Sequence, residues 1–192
     1  MDALAYTLFS TALGVGGVAW SGRGIVGVEL PRSDERQTRV RLLRRFAGAR
    51  QAPPPPAVQS AIAAIVALLA GEASDLTAIV LDPDGLPEFD LSVYRIARTI
   101  PPGETLTYGE IATRLGRPHA AREVGRALGA NPCPIVVPCH RVLGAGGKVG
   151  GFSAPGGVAT KARLLSIEGA RTSAAPMLFD GLPITVRSGG SV

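Results

Sequence analysis

The sequence predicts an α+β fold, with a small antiparallel sheet and helices in the first half and a mostly helical second half. Three observations predict it. Near the start, three short apolar runs are separated by glycine-rich turns. Beyond the 82–88 region the apolar residues recur at helical spacing. Between these patterns and the end lies a stretch of another kind, Asn131-Pro132-Cys133-Pro134-Ile135-Val136-Val137-Pro138-Cys139-His140-Arg141-Val142. It holds both cysteines, and its three prolines exclude a helix.

In chain order, residues 4–10, 13–20 and 24–30 read as three strands of an antiparallel meander. Residues 34–49 set Val40, Leu42, Leu43 and Phe46 among arginines, the pattern of an amphipathic helix with a basic outer face. Gln51, Ala52 and the four prolines after them predict a stiff connector. Residues 58–69 form a largely apolar helix closed by Gly71. Residues 77–81 are a further strand candidate, and Asp82-Pro83-Asp84-Gly85 is a turn. A boundary in the 82–88 region divides the chain into units of residues 1–85 and 86–171, with a tail of 172–192.

The second half opens with a helix over 89–99, presenting Phe89, Val93, Ile96 and Ala97 on one side and stopped by Ile100-Pro101-Pro102-Gly103. Thr107 and Glu110 have capping-box spacing, and Leu106 and Ile111 that of a hydrophobic staple. That helix ends at Leu115-Gly116. Pro118 suits the first turn of a second helix over 119–130, which completes a helix-turn-helix outline. The second helix carries Ala120, Ala121, Gly125, Ala127, Gly129 and Ala130 around Arg122 and Arg126. Such a composition suits either tight internal packing or close approach to a ligand whose phosphates meet the arginines. The triplet Ile135-Val136-Val137 reads as a short internal strand that leads a thiol and an imidazole to a fixed point.

The bulk numbers narrow the setting. The 192 residues carry a net charge of +5, but residues 1–94 are net −2 and residues 95–171 net +7. The excess beside the cysteine stretch suits a polyanion or a solvated arginine surface. Two cysteines make no disulfide framework, and no CxxC pair offers zinc spacing, so no metal site is expected. The start lacks a basic segment, and Ser, Thr and Gly break the apolar run over 4–20. Neither a signal peptide nor a membrane span is expected. A cytoplasmic, reducing setting would keep a thiol free.

Thr107-Tyr108-Gly109-Glu110-Ile111-Ala112, the small-residue helix with Arg122, Asn131-Pro132, Pro138-Cys139-His140-Arg141-Val142 and Glu168-Gly169 follow one another in order. Together they resemble the O6-alkylguanine-DNA alkyltransferases, densely over 89–169 and more loosely in the opening strands. The resemblance implies a ribonuclease H-like first unit and a winged helix-turn-helix-like second one. It implies a monomer that moves a methyl or larger alkyl group from O6-alkylguanine in double-stranded DNA, or from O4-alkylthymine, onto its own cysteine. The reaction needs no cofactor and consumes the protein.

By the same resemblance Cys139 is the acceptor, His140 its base through a water, and Glu168 the group that orients the imidazole. Tyr108 contacts guanine N3 and a backbone phosphate, with Lys161 supporting it. Arg122 fills the gap left by the flipped base, and Ala121 and Gly125 let the helix approach the groove. Asn131 is the hinge between that helix and the cysteine segment. Main-chain groups of Cys139 and Val142 hold the exocyclic amine, and Ser153 donates to O6. Arg141 bonds carbonyls between the two units, Cys133 is a core residue, and His119, at a helix start, is exposed or near a phosphate. The chain departs from the pattern at Phe152, where relatives carry Tyr, at Tyr94 in place of Trp, and at Ala154-Pro155, an insertion beside the pocket. The cysteines of the zinc site in some relatives are missing. Two other readings compete. A non-enzymatic alkyltransferase-like lesion-binding protein would not need Cys139, and a winged-helix regulator would leave the cysteine segment and Glu168 without a role.

Overall fold

Strand β1 (Ala5–Thr11) turns back into β2 (Gly14–Trp20), and β2 into β3 (Ile25–Glu29), each pair antiparallel, with Tyr6 opposite Ala19 and Val18 opposite Val28. The three predicted strands are therefore present, in a computed structural model that describes residues 3–170. The tail of 172–192, including the Met177-Leu178-Phe179 stretch, lies outside the described residues.

Helix α1 (Glu35–Arg45) begins at Asp34, whose carboxylate accepts the Gln37 N–H at 2.7 Å, and packs on β2 and β3. Gly17 and Gly27 make this packing possible. A Cβ at Gly17 would lie 2.6 Å from Leu42 Cδ1, and one at Gly27 would lie 2.0 Å from the Phe46 ring. The helix stops at Arg45, short of the predicted 49, because Phe46 leaves helical geometry (φ −119°, ψ 66°). The expected outer face is realised with one correction. Val40, counted on the apolar side, is 51% exposed among the arginines.

The predicted proline connector begins with a short strand, β4 (Arg50–Gln51), which pairs parallel with β1. The sheet has the order β3-β2-β1-β4 and is mixed rather than purely antiparallel. Helix α2 (Pro56–Leu69) starts on a proline, whose missing N–H would have no helical partner there. It ends before Gly71 at φ +86°. The strand expected over 77–81 does not form; Leu81 alone makes a bridge, with Ile25.

In the second half, α3 (Glu88–Arg98) buries Val93, Tyr94 and Ala97. Strand β5 (Leu106–Thr107) runs into α4 (Tyr108–Arg114), and both hydrogen bonds of the predicted capping box are made. Helix α5 (Ala121–Gly129) starts two residues later than predicted. Pro118 sits in the turn before it, where the Ala120 N–H donates to the Arg117 carbonyl at 2.9 Å. Strand β6 (Val142–Leu143) pairs parallel with β5, and α6 (Gly157–Ile167) closes the described chain. Neither was expected. One apolar cluster joins Val18 and Ile25 of the sheet to Ile65, Val93, Ile111, Val124 and Leu164 of the helices, so the core draws on both halves. No helix among the described residues is long and apolar enough to cross a membrane.

Candidate active site

The cysteine segment is a turn rather than the strand its apolar triplet suggested. Pro134 and Pro138 have no N–H to offer a ladder, and Ile135 takes the left-handed conformation, φ +76°. Such a conformation costs a β-branched residue on the order of 1–2 kcal/mol. Burial of Ile135, Val136 and Val137, each 1% exposed or less, offsets it. The Val137 N–H donates to the Cys133 carbonyl at 2.8 Å and closes the turn.

Asn131 spans this turn from inside. Its Oδ1 accepts the Cys133 N–H at 2.9 Å, and its Nδ2 donates to the Val137 carbonyl at 2.9 Å and to the sulfur of Cys139 at 3.3 Å. The residue expected as a hinge thus touches the thiol directly. Cys139 opens one turn of 3₁₀ helix, Cys139–Arg141, which delivers the chain into β6. From the sheet side, the Val28 N–H donates to the Pro132 carbonyl at 2.9 Å and fixes the segment against β3.

Behind the thiol lies a buried cluster of charges. Glu168, just past the last turn of α6, takes a hydrogen bond with His140 Nε2 at 2.9 Å through Oε1. Arg141 forks onto the same carboxylate, from Nε to Oε2 at 2.9 Å and from Nη2 to Oε1 at 2.8 Å. Its Nη1 reaches one carbonyl, that of Ile100, so the expected set of carbonyl contacts is replaced mainly by an ion pair. Burial would raise the Glu168 carboxyl, but hydrogen bonds and charge from His140 and Arg141 outweigh it and hold it at about 2. Burial lowers His140, with Glu168 opposing, so the imidazole is neutral near pH 7. With Nε2 engaged, Nδ1 is buried and has no hydrogen-bond partner among the described residues.

Cys139 is 7% exposed and lines a cavity of about 200 Å³ with Asn131, Pro134, Phe152 and Ser153. Ala154 and Pro155, the expected insertion, also line it. Burial raises the thiol, while the Asn131 hydrogen bond and the Lys161 charge pull it back down. Lys161 is completely buried; its Nζ donates to the Val142 carbonyl at 2.6 Å and lies 5.8 Å from the centre of the Tyr108 ring. Tyr108 is half-buried against Gly125 and Gly150, and its phenol is raised by burial and by the Cys139 charge. Cys133 is sealed in the core, where burial pushes its thiol up to about 12.

Helix α5 packs one face into the core and leaves the other open. Val124, Ala127 and Leu128 are buried, and Tyr94 donates to the Ala127 carbonyl at 2.9 Å. Arg122, Arg126, Gly129 and Ala130 are exposed, and Ala121 and Gly125 lie between the two faces. His119 is exposed, as expected. Five residues of the cavity, all from the first half, were missed: Glu29 of β3, Leu30 and Arg32 of the loop after it, and Arg41 and Arg45 of α1. The basic face of the 34–49 helix was the available signal for Arg41 and Arg45.

Residues 88–170 match the family described as 6-O-methylguanine DNA methyltransferase, DNA binding domain. The methylated-DNA–protein-cysteine methyltransferase of Mycolicibacterium paratuberculosis is 48% identical over 126 residues, 66% of this chain and 74% of that protein. The crystal structure of Mycobacterium tuberculosis O6-methylguanine methyltransferase superposes with a TM-score of 0.68 at 36% identity, covering 92% of this chain and 99% of that one. That of Mycobacterium tuberculosis OGT in complex with DNA gives 0.69 at 33% identity, over 88% and 96%. With the cysteine segment, the histidine–glutamate pair and the α4–α5 pair all in place, this chain belongs to the methylated-DNA–protein-cysteine methyltransferase family.

Proposed function

We propose that this protein repairs double-stranded DNA by moving a methyl or larger alkyl group from guanine O6 onto Cys139, once per molecule. The observation that carries this reading is the Cys139 sulfur on a small cavity, held by Asn131, beside a neutral imidazole whose free Nδ1 is backed by Glu168. The family's activity and the DNA in a related crystal structure support it.

Arg122 and Arg126 on α5 face the duplex, and the damaged nucleotide rotates out of the stack at a cost of a few kcal/mol. Arg122 takes its place among the bases, while Ala121 and Gly125 let the helix come close. A water between Cys139 and His140 Nδ1 carries the thiol proton to the imidazole, and Glu168 stabilises the imidazolium that forms. The thiolate attacks the alkyl carbon, the C–O6 bond breaks, and its electron pair stays on the purine. Tyr108 donates a proton at N3, and the buried Lys161 ammonium stabilises the phenolate left behind. Ser153 donates to O6, and main-chain groups of Cys139 and Val142 hold the exocyclic amine. The thioether has no easy reverse, and the transfer balances without a cofactor. O4-alkylthymine is a second substrate of the same chemistry. The protein acts as a monomer in the cytoplasm, where reducing conditions keep Cys139 free.

The test is intact-protein mass spectrometry after incubation with free O6-benzylguanine. One benzyl group per chain, mapped to Cys139, is expected; no addition would leave a lesion-binding protein without transfer, and repeated turnover would exclude the stoichiometric mechanism.

A further inference from the structure

The exposed face of α1 carries a row of arginines that begins at the rim of the acceptor cavity. Arg32 and Arg41 line that cavity, and both also line a surface groove of about 410 Å³ shared with Arg36, Gln37, Val40, Arg44 and one carboxylate, the helix-capping Asp34. The arginines differ in how they are engaged. Glu29, 4% exposed, takes Arg32 at 3.1 Å and Arg45 at 3.3 Å, and Glu35 takes Arg39 at 2.6 Å. Arg36, Arg41 and Arg44 are exposed and have no ion-pair or hydrogen-bond partner among the described residues.

Arg41 stands three residues before Arg44 and four before Arg45, spacings at which like charges destabilise a helix by a few tenths of a kcal/mol each. A bound anion would relieve that repulsion. The shape of the row selects a polymer over a small ion. From Arg36 to Arg44 it extends roughly 12 Å along the helix axis, the rise of about three to four nucleotides of one strand. It is also held rigidly to the acceptor. Leu42 anchors α1 on Gly17, Glu29 sits on the cavity wall between two arginines, and β3 is bonded to Pro132 ahead of Cys139.

We propose that Arg36, Arg41 and Arg44 form a second phosphate-binding surface, which grips the DNA backbone beyond α5 when the flipped base occupies the cavity. This inference rests on the alkyl-transfer reading above and extends it, because it makes the first half of the chain part of the DNA-binding surface. Val40, exposed in the middle of the row, gives the deoxyribose a nonpolar contact.

The test compares the full chain with its Arg36→Gln/Arg44→Gln variant in binding to a lesion-bearing duplex between 50 and 200 mM salt, a range over which each phosphate contact is read as slope. The slope of log K against log salt is expected to become shallower by about 2, with affinity at the low-salt end weaker by on the order of tenfold. Arg50→Gln, exposed on β4 at the opposite edge of the sheet, is expected to change neither. An unchanged slope in the double variant, or an equal change in Arg50→Gln, overturns the proposal. Transfer from free O6-benzylguanine, which has no backbone, separates the two readings. If the wild-type chain takes the benzyl group and the slope does not respond, only the α1 surface fails. If it takes none, the alkyl-transfer reading fails first.

Discussion

The side-chain amide of Asn131 donates to the sulfur of Cys139 at 3.3 Å while the same nitrogen holds the Val137 carbonyl at 2.9 Å. One small group therefore shapes the turn and partly offsets the rise that burial imposes on the nucleophile's pKa. Two of its partners are backbone groups in the interior, where loss of a partner is expensive.

Asn131→Ala leaves the Cys133 N–H and the Val137 carbonyl without partners, at about 1–3 kcal/mol each. Urea unfolding should show a loss of roughly 2–4 kcal/mol. Transfer from benzylguanine should slow by at least about tenfold, since the thiol loses a donor that lowers its pKa. An unchanged rate would show that the sulfur reacts without this donor.

The pH profile of transfer tests the base. His140 titrates below its ordinary 6.5 and Cys139 above its ordinary 9.0. Between those values the neutral imidazole can take the thiol proton, so the wild-type rate should be flat across neutral pH. It should fall only as acid protonates His140. In His140→Gln the thiolate must form unaided, and the rate should climb about tenfold per pH unit from ~7 to ~9. Identical profiles for the two proteins would remove His140 from the reaction.

Glu168 links the site to stability. Its folded pKa, about 2, lies below the ordinary 4.5, so its contribution is complete above 4.5 and is lost as pH falls from there through about 2. The effect is on the order of 3 kcal/mol. Glu168→Gln also leaves Arg141 buried without its counter-charge, at about 3–5 kcal/mol. Urea curves for variant and wild type should be well separated at pH 7 and draw together towards pH 2.5; a gap that stays constant with pH would contradict this account.

Arg122→Ala separates base flipping from chemistry. Transfer from a methylated duplex should fall by about tenfold or more, the loss of roughly 1.4 kcal/mol or more of support for the extruded base. Transfer from free benzylguanine should hold. Equal losses on both substrates would place Arg122 in the pocket's architecture rather than in the duplex.

The sequence was most legible where local chemistry decides structure. Thr107 and Glu110 form their capping box whatever surrounds them, and glycine-punctuated apolar runs made β1, β2 and β3 plain. Legibility failed where a distant partner decides. Arg50 and Gln51 are a strand only because β1 passes beside them, and Val142 and Leu143 only because β5 does. Ile135-Val136-Val137 misled because apolar composition reports burial and not direction; the flanking prolines turned the chain instead. In the candidate site, Cys139 and His140 stood out in the proline-framed stretch, while Glu168 came only through the family resemblance. The amide–sulfur contact of Asn131 was not legible, since it depends on how the proline-framed turn folds back on itself. Nor was the arginine wall from α1 and the loop before it, which depends on how the halves meet.

The bond from the Val28 N–H to the Pro132 carbonyl runs from main chain to main chain. Every amino acid but proline brings the same donor to position 28, and position 132 offers its oxygen whatever side chain it bears. The sheet can thus drift widely in side-chain identity and still hold the reactive loop in place. Resemblance that is dense around the loop and thin in the strands is what such a joint allows.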